Sequence, residues 1–294
     1  MKAIEKPTIS PACGLILLQS LLYGLGDPMS KEAYEAMPVC SLLSIRYLLA
    51  LALLLLFAGR RIREGLQNCS PGDWLPSSLC IAGSYVLSNL ALPITAATSV
   101  AFLRSLSTVM TPVLALAVFR TRYRWQHIPI QLLIVVGLYL LCGRGGLSGF
   151  GWGEALTLLS ALLMAGALVF GRRALKRVDA VTLSAVQTGM SALVATVCAW
   201  GFFGGWHLEA ATPSVWAVIV YLAVCCTLTG YLLQNGALEK LPARTVALLQ
   251  CTCPVMTALF SYWILGERLS AAGIAGAVVI LLCVMAETLL GGKE

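Results

Sequence analysis

The chain has 294 residues, 59% of them hydrophobic and only 11% charged, with a mean hydropathy of +0.87. Soluble domains carry about 25% charged residues, so this composition excludes a water-covered globule. The net charge of +7 lies in short basic clusters between apolar runs, where membrane topology accounts for it without nucleic-acid binding.

Crossing a bilayer core takes roughly 20 apolar residues. In chain order, ten spans are predicted at 10–31, 39–58, 74–93, 97–119, 127–143, 151–171, 181–203, 213–233, 243–265 and 271–290, making an all-α membrane protein. Lys2 and Lys6 before the run from Leu15 imitate a signal peptide, but with nine spans downstream the first is read as an uncleaved helix. The 11 cysteines show no C-x-x-C spacing, which argues against disulfide or zinc frameworks.

In the first span Gln19, Tyr23 and Asp27 recur every fourth residue and share one face, the pattern of a cavity lining. Asp27 is expected near the outer end, with Pro28 beside it. Three roles fit it: a coupling-proton site, a clamp for a solute amine, or the partner of Arg104. Arg46 in the second span is read as structural, bonding neighbouring carbonyls. In the third span Tyr85 and Asn89 stand one turn apart. An amide donates and accepts, which suits zwitterionic or polyol solutes; interhelical hydrogen bonding is the alternative.

Arg104 lies about 10 Å into the fourth span at 1.5 Å per residue, on a face with Ser107 or Thr108 and Thr111. An ionisable group at that depth faces a cavity or a partner. Arg104 is thus either a fixed cation for a carboxylate or phosphate, or a structural ion pair with Asp27 or a donor to carbonyls. The glycine-rich run Gly143 to Gly153 then divides the chain near its middle. Beyond it, Tyr231 and Asn235 repeat the one-turn pattern, and Gln250 shares a face with Pro254 and Thr257. Pro254 is expected to leave a backbone carbonyl without its helical donor, for a hinge or for solute coordination.

These positions belong to an internal repeat. Tyr85-Val-Leu-Ser-Asn89 matches Tyr231-Leu-Leu-Gln-Asn235 at an offset of 146 residues. The same offset aligns Ser99 to Arg104 with Thr245 to Gln250, and Val109-Met-Thr111 with Val255-Met-Thr257. A weaker match at offset 141 pairs Leu17 and Leu18 with Leu158 and Leu159, and Arg46 with Gln187. Five spans per half is an odd number, so the second half must enter from the opposite side. The halves, 1–145 and 146–294, then form an inverted-topology repeat, a common transporter plan.

Lys and Arg counts orient the chain. With cytoplasmic termini, fifteen basic residues fall inside, including Arg60, Arg61, Arg63, Arg120, Arg122, Arg124 and the cluster Arg172 to Arg177. Three fall outside: Lys31, Arg144 and Arg268. That bias is the positive-inside signature. Trp74, Trp125, Trp152 and Trp216 near span ends form an aromatic belt.

Arg46-Tyr-Leu-Leu-Ala-Leu, the paired Tyr85 and Tyr231 segments, and Pro254-Val-Met-Thr-Ala followed by Gly266-Glu-Arg-Leu269 resemble the drug/metabolite transporter superfamily, most closely its EamA-type members. The resemblance covers nearly the whole chain. It implies two inverted five-helix halves, a central cavity, and export or exchange of small metabolites. Two departures stand out. Phe119-Arg-Thr-Arg-Tyr123 has no glutamate, and Asp27-Pro28 occupies a place usually apolar or small.

Enzyme chemistry has little support: His127 and His207 are the only histidines, both near span ends, and no phosphate loop, metal cluster or nucleophile elbow appears. No cofactor is expected. The favoured reading is a secondary transporter, an exporter or exchanger, of small polar metabolites, with amino acids or related carboxylates as the expected classes, working by alternating access in the plasma membrane as a monomer or homodimer. Its partners are the small-molecule solute, membrane lipid and, as a candidate, a coupling proton. The alternatives are a carrier of phosphorylated or nucleotide-like organic anions, a non-transporting receptor or assembly factor, and an intramembrane enzyme. The expected substrate-binding set is Arg104, Asn89, Asn235, Gln250, Tyr85, Tyr231, Gln19, Tyr23 and Asp27. The first half, with Gln19, Tyr23, Asp27 and Arg104 against Ser160, Met164, Leu168 and Gln250, is expected to grip the charged end of the solute.

Overall fold

A computed structural model of the chain describes residues 11–67, 69–95, 100, 103–120, 128–142, 151–264 and 270–291. It is built from ten principal helices, with no strand among the described residues. They are α1 (Pro11–Ala36), α2 (Val39–Gln67), α3 (Pro71–Ala91), α4 (Ser107–Phe119) and α5 (Ile128–Cys142) in the first half. The second half holds α6 (Trp152–Ala174), α7 (Ala180–Phe202), α8 (Pro213–Leu238), α9 (Ala243–Ile264) and α10 (Ala271–Gly291).

Three helices outrun their expected ends by five residues or more. α1 continues to Ala36, α2 to Gln67 and α8 to Leu238. The apolar run stops earlier, but Ser30-Lys-Glu-Ala33 and Arg60-Arg-Ile-Arg-Glu64 continue it with residues that mostly favour helix. A helix needs apolarity only where it meets lipid. One consequence is that Asp27 lies well inside α1 rather than near its end.

Helix starts follow local chemistry. α3 and α8 open alike, with Ser70-Pro71 and Thr212-Pro213 placing a hydroxyl residue at the cap and proline in the first turn, where its missing N–H costs nothing. Ser70 N–H donates to Asp73 (3.1 Å) and Gly151 N–H to Glu154 (3.0 Å), closing the starts of α3 and α6. The same opening leads to different interiors. From the proline to the repeat tyrosine is 14 residues in α3 and 18 in α8, and the longer stretch contains a π-helical segment, Leu222–Thr229. α9 is interrupted at Gln250 and Cys251, and a turn at Leu106 precedes α4.

The packing pattern carries the duplication. α3 lies along α6, and α1 along α8; α1 lies along α9, and α4 along α6; α2 pairs with α7, and α5 with α10. Exchanging the halves maps the first four contacts onto one another and the last two onto themselves, as two inverted five-helix repeats require. Small residues permit the closest approaches. A Cβ at Gly24 in α1 would stand 2.4 Å from Met256 Cβ and 2.8 Å from its backbone carbon in α9. One at Gly230 in α8 would stand 2.7 Å from the Tyr23 hydroxyl.

The basic clusters meet at one end of the bundle. Arg61 pairs with Asp179 (2.8 Å), Arg177 approaches Asp73 (3.6 Å), and Arg172 donates to the Leu238 carbonyl (2.7 Å). Large apolar side chains such as Leu56, Phe57, Trp152 and Trp263 point outward, as lipid contact demands. Residues 1–10, the Arg122 and Arg124 cluster with Trp125 and His127, most of the glycine-rich run with Arg144 and the boundary at 145/146, Glu267-Arg268 and Lys293 lie outside the described residues.

Candidate functional site

Deep in the bundle, the walls of two adjoining voids draw on both halves. One, of about 50 Å³, is lined by Gln19, Tyr23, Tyr85, Arg104, Gln250 and Pro254 among others. The second, of about 20 Å³, shares Tyr23, Tyr85 and Arg104 and adds Asp27, Arg46 and Asn89. Small-molecule sites usually measure about 300–1,000 Å³, so the chamber is contracted, with room for a few waters.

Arg104 and Asp27 form the electrostatic centre. An Arg104 Nη2–H donates to Asp27 Oδ2 at 2.8 Å, and the side chains are only 20% and 27% exposed. Thr257 Oγ1 donates to the same oxygen at 3.1 Å, so α9 holds the carboxylate from the other side. The ion-pair reading of these residues therefore describes this conformation. Cys253 Sγ lies 3.9 Å from the guanidinium.

Beside the ion pair is a glutamine cluster. Gln19 Nε2 donates to Gln234 Oε1 (3.1 Å) and to the Gly230 carbonyl (3.2 Å), while Gln250 Nε2 donates to Gln234 Oε1 (2.8 Å) and Gln19 Oε1 (3.3 Å). Gln234, 1% exposed, escaped the sequence reading; the one signal was its place beside Asn235 in the repeated string. The absent side chain at Gly230 is what lets Tyr23 and Gln19 reach α8.

Tyrosines form the next wall. Tyr85 donates to the Tyr23 hydroxyl (3.0 Å), and its ring stacks on Tyr231 with centroids 5.7 Å apart. Asn89 donates to the Tyr85 carbonyl (2.8 Å) and accepts from Tyr34 (2.6 Å). The second-half mates stand farther back. Tyr231 and Asn235 are fully buried and line neither void. Asn235 donates to Ser184 (2.9 Å) and Gln187 (2.7 Å) on α7.

Two details depart from expectation. The carbonyl opposite Pro254, that of Gln250, is not bare: Cys253 N–H donates to it at 2.9 Å, because the helix tightens by one residue at the break. Arg46 does not spend its Nε on a backbone carbonyl. That Nε–H donates to Thr227 Oγ1 at 2.7 Å, inside the π segment, and the guanidinium carbon lies 5.4 Å from the Tyr47 ring centroid. Arg46 also faces the smaller void. Lower on the α4 wall, Thr108 donates to the Ala247 carbonyl (2.9 Å), while Thr111 bonds its own helix at Ser107 (2.7 Å).

A bundle of inverted halves around a buried charged chamber defines the class of membrane solute carriers. Within that class, the EamA-like transporter family matches the chain twice, over residues 10–143 and 151–286, and the chain belongs to this family. It is similar to an uncharacterized transporter of Archaeoglobus fulgidus, with 25% identity over 263 residues, covering 86% of this chain and 89% of that relative. A solved crystal structure superposes with a TM-score of 0.78 at 17% identity, covering 96% of this chain and 98% of its own; the likeness is one of fold.

Proposed function

We propose that the protein is a secondary transporter, an exporter or exchanger, that moves small polar metabolites bearing a carboxylate, amino acids foremost, by alternating access. The observation that carries this reading is Arg104: a guanidinium at mid-bundle, on the wall of a chamber to which both halves contribute. A buried cation is retained at such depth only with a partner or a task. Asp27 satisfies it when the chamber is empty, and a solute carboxylate takes that place on binding. Gln19, Gln250, Tyr23, Tyr85 and Asn89 supply the neutral donors and acceptors around it; Tyr231 and Asn235 support that wall from behind. Asp27 is the carboxylate of the chamber and hence the seat for a coupling proton. The repeats are 1–145 and 146–294, and the basic end of the bundle, with both termini, faces the cytoplasm in a plasma membrane.

Proteoliposomes holding the pure protein test this. Counterflow of radiolabelled amino acids should exceed that of empty liposomes and fall to background in Arg104→Gln. Flux indifferent to that substitution removes the assigned site. No flux of any carboxylate or organic anion would return the protein to the receptor reading.

A further inference from the structure

The charges that line the chamber do not cancel. Arg104 is matched by Asp27. Arg46 has only a neutral hydroxyl, Thr227, on its Nε and a tyrosine ring nearby, and no ion pair of Arg46 is found among the described residues. Yet Arg46 is 5% exposed and faces the same void as Asp27 and Arg104. Two guanidinium groups and one carboxylate leave the chamber one positive charge in excess. A desolvated charge without a counter-charge is costly, so a complementary solute carries a net charge of −1.

We propose that Arg46 is a second anion-binding residue and that the solute class is an amino dicarboxylate, with two carboxylates and one ammonium. One carboxylate displaces Asp27 from Arg104, the other meets Arg46, and the ammonium receives the freed Asp27. Every charge then has a partner, whereas a neutral zwitterion leaves Arg46 unmatched. The π segment serves this site. It carries Thr227, which orients the Arg46 guanidinium, and Cys226, whose thiol would be only 2.7 Å from a Cβ at Gly26. The helix thus presses Thr227 toward α2 while keeping contact with α1. The inference rests on the carboxylate-transporter reading given above.

L-Glutamate, L-glutamine and glutarate are the probes, and thermal stabilisation of the full-length protein in detergent is the readout. Glutamate and glutamine differ by one charge at nearly equal size. In wild type, half-maximal stabilisation should require at least about tenfold less glutamate than glutamine, the ratio that one matched charge pair commonly gives. In Arg46→Gln the two should converge to within about twofold. Arg46→Lys, which keeps the charge, should retain the preference. Glutarate lacks the ammonium and should trail glutamate in wild type but not in Asp27→Asn. If Arg46→Gln does not fold, the wild-type ranking decides. Equal responses to glutamate and glutamine, both lost in Arg104→Gln, overturn the role of Arg46 and leave the transporter reading standing. A wild type that responds to none of the three probes overturns both.

Discussion

Asn89 and Asn235 hold the same place in the two repeats, and their surroundings could hardly differ more. Asn89 borders the chamber and is held by Tyr34 and its own helix. Asn235 is sealed against α7, with its amide nitrogen committed to Ser184 and Gln187. Arg104 and Gln250 diverge in the same sense: one is charged and ion-paired, the other joins a neutral glutamine cluster. Duplication preserved the scaffold, and the polar positions then parted. The first half keeps the charged groups at the chamber, while the second half turns equivalent positions to packing and neutral hydrogen bonds.

The sharpest way to break this comparison is to move the cation. In Arg104→Gln/Gln250→Arg the charge shifts to its mate, but Asp27 has no carboxylate counterpart, since Leu168 stands in its place. Counterflow should fall roughly a hundredfold, because losing one partner of a desolvated pair costs about 2–5 kcal/mol. Recovered flux would mean that the halves are interchangeable. A smaller contrast separates the asparagines. Asn235→Ala should lower the unfolding midpoint, by about 1 kcal/mol of lost interhelical bonding, with turnover per folded molecule little altered. Asn89→Ala, which also strips Tyr34 of its acceptor, should lower the midpoint comparably but in addition reduce flux by about fivefold. Matching effects from the two would erase the distinction.

The smallest effect lies in the loop between α7 and α8. His207 titrates above its ordinary value because the Phe203 carbonyl, and then Glu209, favour its charged form; Glu209 titrates below its own, held down by its own backbone N–H and by His207. The histidine contribution is present below the unfolded-state value of about 6.5 and is lost as pH rises through the elevated folded value. Hydrogen-exchange protection at residues 203–209, taken relative to the intrinsic rate at each pH, should therefore fall modestly above that range, and His207→Ala should abolish that fall while flux persists.

Ten helices and the duplication were legible because both are written in period and offset. Arg104 and Asp27 were legible because charge in an apolar run is conspicuous. What stayed hidden was direction. Helical spacing shows that Tyr231 and Asn235 share a face, but that this face looks to α7 depends on Ser184 and Gln187, some fifty residues earlier in the chain. Arg46 is the converse case. Its place in a repeat pattern suggests a structural arginine, and its bond across to α8 agrees with that, but only the π segment, which has no compositional mark, brings Thr227 to meet it beside the chamber.

Gly24 has a mechanical corollary. Its missing side chain lets the α1 backbone rest on that of α9, so any larger residue there would push a first-half helix away from a second-half helix. This backbone clasp therefore joins the two sequence repeats to each other, and neither repeat is a separable mechanical block.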